Sequence, residues 1–198
     1  MKNFKIIVVI FLIPLFCFSQ DLTDIDFVSP FHDGYAAVKK GDQWAFINEK
    51  GAIVIDFRDD LVPEKHNDVC YPVLKNDLFL IQRNENNLTY FGFADVQGKT
   101  VIAPKFLKAK SFEFNNSIAL LLIKQNLGYN KLLDKPMVSY KYREVLIDKS
   151  GEIIDYLSPL YPFSVDAYAK KSPEIKSKIV SKDIVAVAQD NTFSLRKY

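Results

Sequence analysis

Apolar and polar positions along this chain alternate in short bursts, and the bursts come in matched pairs. The stretch WAFINEKGAIVI (44–55) sets apolar runs on either side of a polar segment ending in glycine, and FGFADVQGKTVI (91–102) and EVLIDKSGEIID (144–155) repeat the arrangement. Aligning Gly51, Gly98 and Gly151 places Asn48, Asp95 and Asp148 three residues earlier, at spacings of 47 and 53. Asp or Asn at the first position of a type I turn accepts hydrogen bonds from nearby backbone N–H groups, and Gly at the fourth tolerates the left-handed conformation that begins a bulge. NEKG, DVQG and DKSG therefore read as hairpin turns. Phe46, Phe93 and Leu146 precede the turns at one fixed distance and Val54, Val101 and Ile154 follow at another, so each pair is expected to sit across its hairpin facing one core.

A further apolar run lies upstream of each hairpin: YAAVKK (35–40), LFLIQR (78–83) and IALLLIKQ (118–125). Each reads as the first strand of a three-strand unit. Such a unit cannot bury both faces alone, so neighbouring units must stack and share a core. β-Branched and aromatic residues dominate, and no stretch longer than about ten residues holds an apolar period of 3.6. The expected architecture is all-β, with units at about 27–60, 71–106 and 112–155 inside a repeat region spanning 20–155. Residues 156–198 then form a connector and a C-terminal hairpin that caps the last open edge, turning at Asp190 and Asn191. A short helix entered at Pro173 is expected in the connector.

These residues resemble the bacterial WG repeat, whose units read loosely as Phe, acidic, Gly, a small apolar strand, Trp-Gly-aromatic-Ile-Asp, two variable residues, Gly, and a strand closing on Pro and an aromatic. FHDGYAAVKKGDQWAFINEKGAIVIDF (31–57) is similar to the first half, and FGFADVQGKTVIAPKFLKAKSF (91–112), with Ala103, Pro104, Lys105 and Phe106, to the second. The third copy (112–155) carries an insertion around NLGYNKLLDKPMVSYKYR and keeps mainly Ile147, Asp148 and Gly151. The name-giving pair is never intact: Trp44 precedes Ala45, Phe91 stands before Gly92, and Glu144 before Val145. The resemblance implies a β-rich repeat tied to no single reaction.

The N-terminus changes the picture of where the chain goes. Lys2 and Lys5, an apolar run from Ile6 to Phe16 and small Ser19 make the layout of a secretory signal peptide over residues 1–19. The apolar run is short of the roughly 20 residues that span a bilayer, so no transmembrane segment is expected once it is cleaved. Cys17 follows bulky Phe16, which argues against a lipid anchor. Without residues 1–19, Lys+Arg and Asp+Glu are equal at 24 each, so the mature chain is formally neutral and offers no basic stripe for nucleic acid. Only Cys70 remains, so no intramolecular disulfide supports the fold.

Candidate chemistry is sparse. PEKHNDVCY (63–71) puts Glu64, His66, Asp68 and Cys70 at alternate positions, one face of an extended strand, where a thiol and a base or a zinc ligand set are conceivable. A polar connector between units is the plainer expectation. His32 reads as a surface turn residue. Asp59, Asp60, Asp77, Asp95 and Asp148 supply carboxylates for a glycosidase pair, although Asp95 and Asp148 already have turn roles. Trp44, Tyr90, Tyr129, Tyr140 and Tyr142 form either a sugar-stacking platform or core. No phosphate-loop, dinucleotide or HExxH motif occurs, and the sequons at Asn87 and Asn115 are patterns only. No catalytic residue, cofactor or metal ligand is assigned. The expected function is an exported, non-enzymatic binding or scaffolding module at the cell envelope with an unknown protein or glycan partner. A carbohydrate-binding module and a Cys70–His66 hydrolase are the alternatives.

Overall fold

The structure, a computed structural model, describes residues 22–165 and 172–198; the expected signal segment, 1–19, lies outside them. Strands β1 (Phe27–Val28), β2 (Tyr35–Lys40), β3 (Gln43–Asn48) and β4 (Ile53–Arg58) form one antiparallel sheet in chain order. Strands β5 (Glu64–His66) and β6 (Val69–Tyr71) make a separate hairpin. A long sheet then runs in chain order through β7 (Leu74–Lys75), β8 (Leu78–Glu85), β9 (Leu88–Asp95), β10 (Thr100–Ala109), β11 (Asn116–Asn130), β12 (Lys135–Asp148) and β13 (Ile153–Tyr156), with β14 (Tyr161–Phe163) also on β12. A last sheet holds β15 (Lys178–Ser181), β16 (Ile184–Gln189) and β17 (Thr192–Lys197). Among the described residues the architecture is all-β, as the alternating pattern dictates.

The three glycine turns are built from the same bonds. Gly51, Gly98 and Gly151 have φ of +77°, +77° and +81°, and their N–H groups donate to the carbonyls of Asn48, Asp95 and Asp148 at 2.9, 2.8 and 3.0 Å. The Oδ1 atom of each of those residues accepts two more backbone N–H groups, from Lys50 and Ala52, Gln97 and Lys99, and Ser150 and Glu152, at 2.9–3.0 Å. A bulge follows each turn and moves the pairing by one residue from expectation. Phe46 faces Ile55, Phe93 faces Ile102, and Leu146 faces Asp155. Val101 and Ile154 are consequently exposed, and Val54 packs only at the margin of the core. The extra residue of a bulge flips every side chain beyond it to the other face.

Each unit's first strand is also paired on its outer side by the tail of what precedes it. β1 pairs β2; Leu61 bridges Ile81 on β8, with Gln82 N–H donating to Asp60 O at 2.8 Å; the end of β10 pairs β11 through Lys108↔Leu120 and Ala109↔Ala119; and β15 pairs β16. Units share their cores as well. Trp44, Phe46 and Ile55 pack with Phe79, Ile81 and Leu61, the Phe46 and Phe79 rings lying 5.4 Å apart. Phe93, Phe106 and Phe112 pack with Val145 and Ile147.

The C-terminal hairpin departs from expectation in two ways. It turns at Asp190 and Asn191, but β15–β17 pair with no edge of the long sheet; Val185 and Val187 stack instead on Ile118, Leu146 and Leu157. It also repeats β2–β3 residue for residue, two six-residue strands joined by two residues, and so is a fourth, partial copy. Phe193 and Leu195, 53% and 72% exposed, stand where Trp44 and Phe46 are buried. The helix expected at Pro173 is absent: residues 173–177 are irregular, held because buried Glu144 accepts the N–H groups of Lys176 and Ser177 at 2.6 and 3.2 Å. Glu144 occupies the tryptophan position of the third copy, which explains that departure.

Candidate ligand-binding cleft

The segment 63–71 folds back on itself. Asn67, with φ of +56°, reverses the chain, so Cys70 pairs with Lys65 and His66 with Val69. Directly paired residues share a face, which puts Cys70 out of phase with Glu64 and His66 rather than alongside them, and Asp68 in the turn. The one-face cluster expected from alternate spacing is therefore not formed. No hydrogen bond joins Cys70 to His66 among the described residues, and the thiol is exposed.

His66 is instead placed by aromatic packing. Its ring stacks on Tyr71 at 4.5 Å and lies 5.8 Å from His32, whose Nε2 is 3.1 Å from the Tyr71 hydroxyl. His32, expected at the surface, is thus half-buried and ties the first unit to the β5–β6 hairpin. Burial lowers the pKa of His66 foremost; Glu64 opposes the fall, and His32 and Lys75 add to it. The imidazole is neutral at neutral pH. Because the unfolded chain takes up that proton more readily, this group removes stability as pH falls below about 6.5. His66 Nε2 is buried with no hydrogen-bond partner among the described residues, a state that costs free energy unless something reaches it.

That ring lines a cleft of about 770 Å³ between the β5–β6 hairpin, the β10–β11 connection and residues 174–175. Val62, Phe91, Ala109 and Ile175 give it apolar surface, and Lys65, Lys75, Lys108 and Lys110 bring cationic side chains to it. Its acids are partly occupied: Glu64 is held by the Ser111 hydroxyl and by its N–H at 3.1 Å. Lys110 Nζ donates to Ser177 O at 3.0 Å, and burial lowers its pKa against the pull of Glu144 and Glu113. An anion entering here meets a partly desolvated ammonium, where charge attraction is stronger than in water. The sequence marks Glu64, His66 and Cys70 but not Lys75, Lys108 and Lys110; KFLKAK (105–110) reads only as the closing strand of a unit.

The remaining candidates are scattered. Asp60 pairs with Arg58 at 2.5 Å, Asp77 lies 3.4 Å from Lys149, Asp95 and Asp148 are spent in turns, and Asp59 is exposed. Among the described residues, no three of His, Cys, Asp and Glu converge as a metal site. Trp44 is buried against Phe27 and Lys39, so it offers no face to a sugar. Tyr129 is exposed far out on β11, while Tyr142 packs at 5.5 Å on Tyr161 beside Phe163. Asn87 and Asn115 both sit in tight turns with positive φ.

Searches of curated proteins and of solved structures each returned no match. The family model of the WG containing repeat matches residues 24–44 and 91–126. The first match covers β1, β2 and the start of β3; the second runs from β9 through β10 into β11. Gly92, the glycine of the name-giving pair in the second copy, is required by geometry: a Cβ there would lie 2.3 Å from Ile102 O and 2.6 Å from Pro104 N, where β10 crosses it. These two matches, together with the repeated turn, support assignment of the chain to the WG repeat family.

Proposed function

We propose that this chain is an exported, non-enzymatic β-repeat protein that acts as a binding or scaffolding module at the cell envelope, holding an anionic ligand or partner segment in the cleft beside His66. The observation that carries the reading is the unpartnered Nε2 of His66 on the wall of a cleft supplied with four lysines and an apolar floor. Concave sites that mix apolar surface with a few convergent polar groups are where ligands bind. Export is supported by the signal-like layout of residues 1–19. The test is affinity capture from envelope fractions with the wild type and with Lys65→Glu/Lys108→Glu. The reading expects a captured component that the variant loses. Equal capture by both, or a hydrolytic activity abolished by His66→Gln, overturns it. Cell fractionation of a chain lacking residues 1–19 tests export separately, with retention in the cytoplasm as the expected result.

A glycan-binding role is a second reading, favoured by a cleft of about 590 Å³ where Tyr156 and Tyr161 stand exposed beside Arg143, Asp190 and Arg196. Glycan-array binding abolished by Tyr156→Ala/Tyr161→Ala would support it. Binding unchanged by that variant would remove it.

A further inference from the structure

The hairpin of the third unit outgrows its sheet. β11 and β12 stay paired out to Asn130↔Lys135, whereas β10 accompanies β11 only as far as Leu121 and β14 accompanies β12 only over Tyr140–Tyr142. Among the described residues no third strand pairs with 125–139, which project as a two-stranded arm about 20 Å long at strand rise. Its end is apolar. Leu132 and Leu133 at the apex are 96% and 68% exposed, and Leu127, Tyr129, Met137 and Val138 are exposed behind them. Charge on and beside the arm is mainly positive: Lys131 and Lys135 at its tip and Lys124 and Lys141 at its base, against Asp134 alone. Even Asp134 is engaged, accepting the Tyr129 hydroxyl at 2.5 Å.

We infer that this arm docks on an anionic lipid surface, Leu132 and Leu133 entering the interface and the lysines remaining among the headgroups. A convex apolar apex fits a soft interface. Lysine stems can follow the leucines inward while their ammonium groups stay in the polar layer, beside negatively charged headgroups. The turn is prepared for leaving water, because Asn130 Oδ1 accepts the N–H groups of Leu132 and Leu133 at 2.9 and 3.1 Å; backbone donors left bare in an apolar medium would oppose entry. A second copy is a poorer occupant, since two such tips would bring Lys131 and Lys135 of each against the other. The inference goes beyond the binding role of the cleft and does not depend on it.

The experiment places a reporter at the tip of the full chain, Leu133→Trp, so that residues 1–19 do not contribute to the signal; Trp44, buried in the core, gives a constant background. Vesicles of phosphatidylcholine with phosphatidylglycerol should shift the new emission to the blue, and phosphatidylcholine alone should not. Reversing Lys131 and Lys135 to Glu in the same background should raise the lipid concentration for half-maximal shift at least about tenfold, as should high salt. Far-ultraviolet circular dichroism checks that each variant is folded. No shift with anionic vesicles overturns the inference, as does a shift that is indifferent to the lysine reversals. A lipid-free dimer abolished by Leu132→Ser/Leu133→Ser also overturns it, assigning the tip to a second copy.

Discussion

The two ends of each repeat's hairpin follow different rules. At one end, the turns 48–51, 95–98 and 148–151 each carry the same two backbone N–H bonds to an Asn or Asp side chain and the same glycine N–H bond to that residue's carbonyl, and the entry turns pair His32 with Tyr35, Lys75 with Leu78 and Glu113 with Asn116. At the other end, β2–β3 and β8–β9 close with two residues each, whereas β11–β12 runs out into an arm. The first end touches its neighbours: a Cβ on Gly151 would lie 2.9 Å from Ile102 of the preceding unit. Among the described residues the arm meets no third strand. Stacking therefore fixes one end, and the free end is where length and composition can change.

Substitutions can break this contrast. Gly151→Ala should cost most, about 3 kcal/mol, because it adds a left-handed side chain to an overpacked contact. Gly51→Ala, with open space around it, should cost about 1–2 kcal/mol, the backbone strain alone. Urea denaturation of both checks the difference, and equal losses would mean the contact with Ile102 relaxes freely. Asp148→Ala should lose about 1–2 kcal/mol with its accepted bonds. Asp148→Asn should be near neutral at pH 7, because Asn48 already does the same work in the first unit.

The Asp148 variants also carry a pH signature. The Ser150 hydroxyl foremost, and backbone N–H groups after it, hold the Asp148 carboxyl below its usual range. Its contribution to stability is present above the unfolded value and lost as pH falls through the folded one. Acid titration followed by circular dichroism should show that loss shallower in Asp148→Asn.

Phe114 is the exception at the rule-bound end, a bulky residue at φ of +51° where the other entry turns use Asp33-Gly34 and Asn76-Asp77. Phe114→Asn should stabilise by about 1 kcal/mol, read as a rise in melting temperature. At the free end, Leu132→Ser/Leu133→Ser should leave stability within about 0.5 kcal/mol, checked in the same melts. A larger loss would show that the arm is packed after all.

Much of the fold is legible because turn chemistry is local. Asn or Asp three residues before Gly names the turn, and alternation names strands such as 35–40 in full. The bulge is less legible, since it costs one residue that apolar spacing alone does not reveal, and for that reason Ile55, Ile102 and Asp155 rather than Val54, Val101 and Ile154 stand opposite Phe46, Phe93 and Leu146. The cleft was legible only in part. HND between Lys65 and Val69 is itself a turn signal, and reading through it set Cys70 beside His66. The lysines at 75, 108 and 110 meet His66 only through strand order, which no local pattern encodes.

The habit of sealing each leading strand with the tail of its predecessor has an evolutionary corollary. No copy ends at a clean seam, so excising one would strip the cover from the next, yet inserting any stretch one period long would recreate the same joint on both sides. Such an array can lengthen by duplication from almost any breakpoint, and the partial fourth copy at β15–β17 has the form that such growth leaves behind.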